Sequence, residues 1–206
     1  MGKIDLNDKL SIINYGVGIQ HKLADLNEVV SEIVRDKDYS NITGLYDALT
    51  KLMSANDDKT PFYTESAIRG IREELLKNRV ELLKECKLYE ELRNTNNVYL
   101  TELSAEITEA QEILSQIPGG KRMTSKSMLW NRIQEMKTTK TVAGTLNDQL
   151  ALYHKNSAAL AEKIGSAINT LMPLWESGVS LSVNKKSTQK AFNMLKALLK
   201  ESVNAI

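Results

Sequence analysis

A long stretch without proline constrains this fold more than any other feature of the sequence. Between Thr64 and Pro118, apolar side chains recur at steps of three and four residues, the spacing of one face of an α-helix. Pro118 and the two glycines after it end the pattern. If unbroken, the predicted helix is on the order of 80 Å long at about 1.5 Å per residue. Its inward positions are predicted at Ile68, Ile71, Leu75, Leu82, Cys86, Tyr89, Leu92, Tyr99, Leu103, Ile107, Ala110, Leu114 and Ile117.

The same spacing returns after the turn, from Leu129 to Leu171, so a second long helix must fold back along the first. Residues 94–97 are a polar patch of poor helix formers, where the first long helix could kink or break. Pro173 should bend or end the second long helix, because proline lacks a backbone N–H and clashes with the preceding turn. The predicted fold is all-α: an elongated, antiparallel, coiled-coil-like bundle built on one hairpin at about residues 64–172.

Shorter amphipathic segments flank this hairpin. Helices are predicted within residues 5–54, with inward positions that include Leu10 and Ile13. Gly16 and Gly18 lie at a change of phase in the first of these helices, where missing side chains would allow a bend or the close approach of another helix. A last helix is predicted at 188–204, and residues 1–206 are predicted to form a single domain.

The charge is distributed unevenly along the chain. Residues 1–118 carry 14 basic and 21 acidic side chains, whereas residues 119–206 carry 13 basic and 5 acidic ones, a balance of −7 against +8. A basic half can bind nucleic acid or an anionic membrane, but such a surface usually interleaves arginine or aromatic side chains with lysine. Pairing of an acidic helix with a basic helix inside one bundle is the alternative, and we favour it.

No catalytic pattern is evident in the sequence. His21 and His154 stand apart from any metal-ligand spacing, and the single cysteine, Cys86, lies on an apolar stripe where a small buried side chain is expected. We therefore predict no enzyme activity, no metal and no cofactor. The amino terminus has no apolar run typical of a signal peptide, which favours a cytoplasmic protein.

Two segments go beyond a generic helical pattern. Residues 11–25, SIINYGVGIQHKLAD, resemble the YGxGxQxKxAD stretch of the bacterial toxic-anion-resistance (TelA, tellurite-resistance) family. Residues 162–175, EKIGSAINTLMPLW, resemble the EKIQxxxxNTIPLW stretch of the same family, in the expected order. The chain departs from the family at residues 145–151, which lack a proline and an arginine, and in an aromatic-rich insertion that is missing. The resemblance is to a short and diverged member.

This resemblance implies a cytoplasmic stress protein without an established catalytic activity. We expect a helical adaptor that acts through protein partners, with homo-oligomers and association with the inner face of the membrane left open. The alternative is a membrane-peripheral or nucleic-acid-binding protein that uses the basic carboxy-terminal half, although nucleic acid is the less expected partner. The candidate partner-binding residues are Tyr15, Gly16, Gly18, Pro173, Leu174 and Trp175.

Overall fold

The structure, a computed structural model, describes residues 4–35, 65–118, 123–173 and the isolated helical positions 193, 194, 197 and 200. Nearly all of these residues are helical, and no strand occurs among them. The prediction of an all-α fold is confirmed. The predicted helical region from 36 to 54, most of the last helix and the Leu174–Trp175 pair lie outside the described residues.

The chain divides into two compact units. Unit 1 consists of residues 1–36 and 89–152, and unit 2 of residues 37–88 and 153–206. Two long helices, α3 (Glu65–Gln116) and α4 (Met123–Ser166), each contribute to both units. The prediction of a single domain stays a prediction.

Unit 1 begins with two helices that are shorter than α3 and α4, namely α1 (Lys9–Asn14) and α2 (Val17–Arg35). Asp8 caps α1, because its carboxylate accepts a 3.0 Å hydrogen bond from the backbone N–H of Leu10. The inward face of α1 was predicted wrongly: Leu10 and Ile13 are exposed, whereas Ile12 is fully buried. The reason is that α1 ends at Asn14 and the backbone turns at Tyr15 and Gly16, so α1 is a separate short helix and not the first part of one longer helix.

The core of unit 1 lies between these helices and the parts of α3 and α4 that belong to the unit. Burial of each large aliphatic side chain in such a core contributes about 1.5–3 kcal/mol. The core side chains come from all four helices, as the sequence pattern predicts for α2, α3 and α4. They are Ile12, Tyr15, Ile19, Leu23, Leu103, Ile107, Ala110, Ile117, Leu129, Ile133, Met136 and Ala143.

The polar patch at residues 94–97 does not break α3, contrary to one of the two outcomes considered for it. Asn96 is fully buried and donates from its side-chain amide to the Ala143 carbonyl (2.8 Å) and to Asn147 Oδ1 (3.3 Å). Asn147 in turn donates to Asn97 Oδ1 at 2.6 Å. Asn96 and Asn97 therefore contact α4, and these contacts between the helices stabilise a segment whose intrinsic helix propensity is low.

In unit 2, α3 and α4 also run antiparallel. Ser157 donates to Glu85 Oε2 at 3.0 Å, and the Arg79 guanidinium lies against Gly165, further along α4 and earlier along α3. After Ser166 the helix widens into a π-helical segment, Ala167–Leu171, which precedes Pro173. Because proline cannot donate to the carbonyl four residues before it, a local departure from α-helical bonding is expected here.

Among the helices that the structure describes, none is both long enough and apolar enough to cross a membrane.

Candidate functional site

The candidate site is the junction at which the first sequence motif meets α3 and α4 in unit 1. We call it the motif joint and define it by Tyr15, Gly16, Gln20, Glu106 and Arg132. Helix α1 ends at Asn14, and the Tyr15 backbone is extended, with φ −63° and ψ 129°. Gly16 follows with φ +72°, in the left-handed region that a glycine adopts readily and other residues rarely do. The two residues together redirect the chain from α1 into α2.

Gly16 is also required for close approach. A Cβ atom on this residue would lie 2.5 Å from the Met136 sulfur and 2.9 Å from Glu106 Oε2. Gly18 differs, since a Cβ atom there would meet no atom within 4 Å and the residue is exposed. Of the two glycines predicted to allow close approach, only Gly16 has side chains of α3 and α4 packed against it.

Arg132 of α4 binds the segment that joins α1 to α2 and the start of α2. Its guanidinium is buried and donates to the Tyr15 carbonyl through Nε at 2.6 Å and to Gln20 Oε1 through Nη2. Its remaining terminal nitrogen, Nη1, donates to Glu135 Oε2 at 2.7 Å. Gln20 adds a second attachment to α4, donating to Thr139 Oγ1 at 2.7 Å. A planar fork of donors suits three acceptors arranged around it, which explains arginine here.

Tyr15 attaches the same segment to α3. Its hydroxyl donates to Glu109 Oε2 at 2.9 Å and lies 3.3 Å from the Glu106 carbonyl oxygen. Burial, the hydrogen bond to Glu109 and the nearby carboxylates raise the pKa of Tyr15 above its ordinary value, because each disfavours the phenolate. Tyr15 is therefore a hydrogen-bond donor throughout the physiological pH range.

Glu106 is the polar group least well satisfied in the joint. Its Oε2 atom is buried and accepts no hydrogen bond from the described residues. Burial and the neighbouring charge of Glu109 raise the pKa of Glu106, while Arg132 opposes them. The charged carboxylate thus costs unit 1 some stability, and protonation of this group relieves that cost.

A further motif residue binds at the edge of the joint. Lys22 Nζ lies 3.5 Å from Glu102 Oε2 and 5.3 Å from the centre of the Tyr99 ring. Four positions of the first motif, 15, 16, 20 and 22, therefore all lie against α3 or α4. In the part of the chain that the structure describes, no group of three or more His, Cys, Asp or Glu side chains is placed to hold a metal ion. The observed contacts of the joint hold helices together.

The predicted partner-binding residues do not form one cluster in the described structure. Tyr15 is buried, Gly16 packs against α3 and α4, and Gly18 is exposed. Pro173 is exposed at the end of the described part of unit 2, and Leu174 and Trp175 lie outside the described residues. Their role in binding a partner stays a prediction.

Sequence reasoning missed the residues of α3 and α4 that complete the joint. Neither Arg132 nor Glu106 was singled out from the sequence. A signal for Arg132 did exist: it lies three residues after Leu129 and four before Met136, on the apolar stripe of α4. A charged residue on a buried stripe indicates acceptors from another segment.

No protein-family model matches the chain, and no solved structure matches it. A TelA-like protein of Staphylococcus saprophyticus is 23% identical over 239 aligned positions, which cover 93% of this chain and 63% of that protein. A TelA-like protein of Staphylococcus aureus (strain Mu50) is 21% identical over 224 positions, covering 85% of this chain and 59% of that protein. The chain thus spans about three fifths of the length of these curated relatives. It is a distant relative of the TelA-like proteins, similar to them along most of its own length.

Proposed function

We propose that the chain is a non-enzymatic helical adaptor that acts through protein–protein contacts in a cytoplasmic response to toxic anions such as tellurite. The likeness to TelA-like proteins supports the link to tellurite resistance. The second part of the proposal, action through contacts, depends on the surface of unit 1.

The observation that carries this proposal is the exposed apolar face of α1. Leu10 and Ile13 lie three residues apart, on one face of the helix, and are 65% and 51% exposed. Ile12, between them in sequence, is fully buried against the core. Large aliphatic side chains on an exposed face gain free energy when a partner covers them, and short helices that present such a face are common in protein interfaces.

The motif joint gives this face a fixed orientation. Tyr15 and Gly16 immediately follow α1, and Arg132 holds the Tyr15 carbonyl. The joint therefore limits how far α1 can turn relative to α3 and α4 within unit 1. In this proposal, the role of Tyr15 and Gly16 is to position α1, and Gly18 leaves an open place where a partner helix can approach closely.

The proposal is tested by complementation together with partner capture. A host lacking the chain would be complemented with the wild type, with Leu10→Gln/Ile13→Gln, or with Val98→Gln/Val142→Gln, which alters equally exposed apolar positions in unit 1. Growth in tellurite and crosslinked co-purification would be measured. We expect the α1 variant to lose resistance and its crosslinked partner, and the control variant to keep both.

Circular dichroism and urea unfolding of each variant separate a lost contact from a lost fold. Full resistance with unchanged crosslinking in the α1 variant would contradict the role given to Leu10 and Ile13. Tight binding of the wild type to DNA or anionic vesicles at about 0.15 M salt, where screening acts over roughly 8 Å, would instead favour the alternative based on the basic carboxy-terminal half.

A further inference from the structure

A second apolar surface lies on α3 within unit 2. Leu76, Val80 and Leu83 are 43%, 50% and 48% exposed. Two of them directly follow buried leucines, Leu75 and Leu82, which lie on another face of the helix. The spacing of the three exposed residues, four and then three, is that of the d, a and d positions of a coiled-coil heptad. Helix α3 thus has a buried seam toward the core of unit 2 and a second, exposed seam, which we call the outer seam (Leu76, Val80 and Leu83).

The e and g positions beside the outer seam carry cations only, and Glu73 occupies the a position before Leu76. With Leu76 and Leu83 at d, the flanking e positions are Lys77 and Lys84, and the g positions are Arg72 and Arg79. Lys84 also contacts Glu81, and the Arg79 guanidinium lies against Gly165, so these cations also take part in contacts within unit 2. Their positions nevertheless place four basic residues along both sides of three aliphatic ones.

Apart from Glu73 at the amino-terminal end of the outer seam, the acidic side chains of the same segment lie at other heptad positions. Glu74, Glu81 and Glu85 are spaced by seven and four residues, and each is offset from the outer seam by the position it takes in the heptad. Glu85 accepts a hydrogen bond from Ser157 of α4. Between Leu76 and Leu83 the flanks of the outer seam are therefore basic, and the glutamates lie on another part of the helix.

Residues at e and g determine which helices can pair across a coiled-coil seam. A second copy of this chain would bring lysine and arginine against lysine and arginine, which is unfavourable in either orientation. We propose that the outer seam binds an amphipathic helix of a different protein, one with aliphatic residues at a and d and glutamate or aspartate at e and g. This inference rests on the proposed adaptor function and names the chemistry of a partner.

The test uses the entire chain and a labelled synthetic peptide of about four heptads, with Leu and Ile at d and a and Glu at every e and g position. Because its own e and g charges repel, the peptide is not expected to pair with itself. Fluorescence anisotropy at low and at physiological salt would measure binding. We expect the acidic peptide to bind the wild type, more weakly as salt increases, and the same peptide with Lys at e and g not to bind.

Two variants separate the apolar and the charged contributions. Val80→Gln/Leu83→Gln should weaken binding at least about tenfold, since burial of these side chains supplies most of the affinity. Lys77→Glu/Lys84→Glu should weaken binding of the acidic peptide about fivefold or more, because two of the four flanking cations become anions. Val98→Gln/Val142→Gln is the matched control and should bind like the wild type. All substituted positions are exposed, so circular dichroism should be unchanged.

The inference is overturned if the acidic peptide fails to bind, or if Lys77→Glu/Lys84→Glu binds the acidic peptide as tightly as the wild type does. Binding of the wild type to phosphatidylglycerol vesicles but not to the acidic peptide would also overturn it, in favour of a membrane-facing role for this seam. In the crosslinking experiment above, a partner retained by Val80→Gln/Leu83→Gln would contradict the outer seam while leaving the adaptor proposal standing. A wild type that captures no partner would contradict the adaptor proposal itself.

Discussion

Substitution of Gly16 by alanine tests the motif joint most directly. Alanine at φ +72° costs about 1–2 kcal/mol relative to glycine, because its Cβ crowds the following carbonyl. That Cβ would also lie 2.5 Å from the Met136 sulfur. Overpacking of a core typically costs a further 1–3 kcal/mol or so. We expect Gly16→Ala to lower the free energy of unfolding by about 2–5 kcal/mol, which is roughly 4–20 °C in Tm for a chain of this size.

Gly18→Ala is the matched control, two residues away. A Cβ at this position meets no atom within 4 Å, and the residue lies inside α2. Replacing a helical glycine by alanine stabilises a helix by about 0.5–1 kcal/mol. The two substitutions make the same chemical change and are expected to have effects of opposite sign.

Urea unfolding followed by circular dichroism would give the global effect, and hydrogen exchange of the α1 and α2 amides would give the local one. We expect Gly16→Ala to raise exchange in α1 and α2 first. A double-mutant cycle with Met136→Ala should recover the steric part of the loss and not the backbone part. A Gly16→Ala protein as stable as the wild type, with unchanged exchange in α1, would refute the reasoning.

Three further substitutions test other parts of unit 1. Glu106→Gln should raise the free energy of unfolding at pH 7. Because the pKa of Glu106 is raised in the folded state, the wild type loses stability as the pH rises from the ordinary pKa of a glutamate through the raised pKa. The advantage of the variant should vanish near pH 4, and urea midpoints at both pH values would show this. Arg132→Lys should cost about 1.5–3 kcal/mol in the same assay, because an ammonium cannot replace the fork that binds the Tyr15 carbonyl and Gln20, and an unchanged midpoint would contradict that role. Asn96→Ala should lower Tm, since it leaves the buried Ala143 carbonyl without that donor, whereas Asn94→Ala at an exposed position should change Tm little or raise it slightly.

The two long helices were predictable because their packing follows directly from periodicity. Leu75, Leu82, Leu103, Ile133 and Leu150 are all buried, as steps of three and four residues predict. Helix α1 was harder. Its inward face was assigned to Leu10 and Ile13 within one predicted helix that changes phase at Gly16 and Gly18. Instead α1 ends at Asn14, the left-handed backbone at Gly16 redirects the chain, and Ile12 and Tyr15 are buried.

The site was only half accessible from sequence. The first motif drew attention to Tyr15 and Gly16, but their partners Glu106 and Arg132 lie about a hundred residues away in the chain. Which residues of an antiparallel hairpin meet a third segment depends on the docking of that segment, and helical periodicity does not encode docking. Asn96 shows the same limit, since low helix propensity at this position reflected a contact with α4 and not a break in α3.

The two attachments of Tyr15 respond differently to mutation. Glu109 recognises the phenol, which a single codon change can remove, whereas Arg132 recognises the backbone carbonyl, which every amino acid supplies. Substitution at position 15 can therefore remove only one of the two links, while substitution at position 132 removes the link to the carbonyl and the one to Gln20 together. Over evolutionary time, substitutions at Tyr15 should therefore be tolerated more often than substitutions at Arg132, which binds the backbone carbonyl of Tyr15.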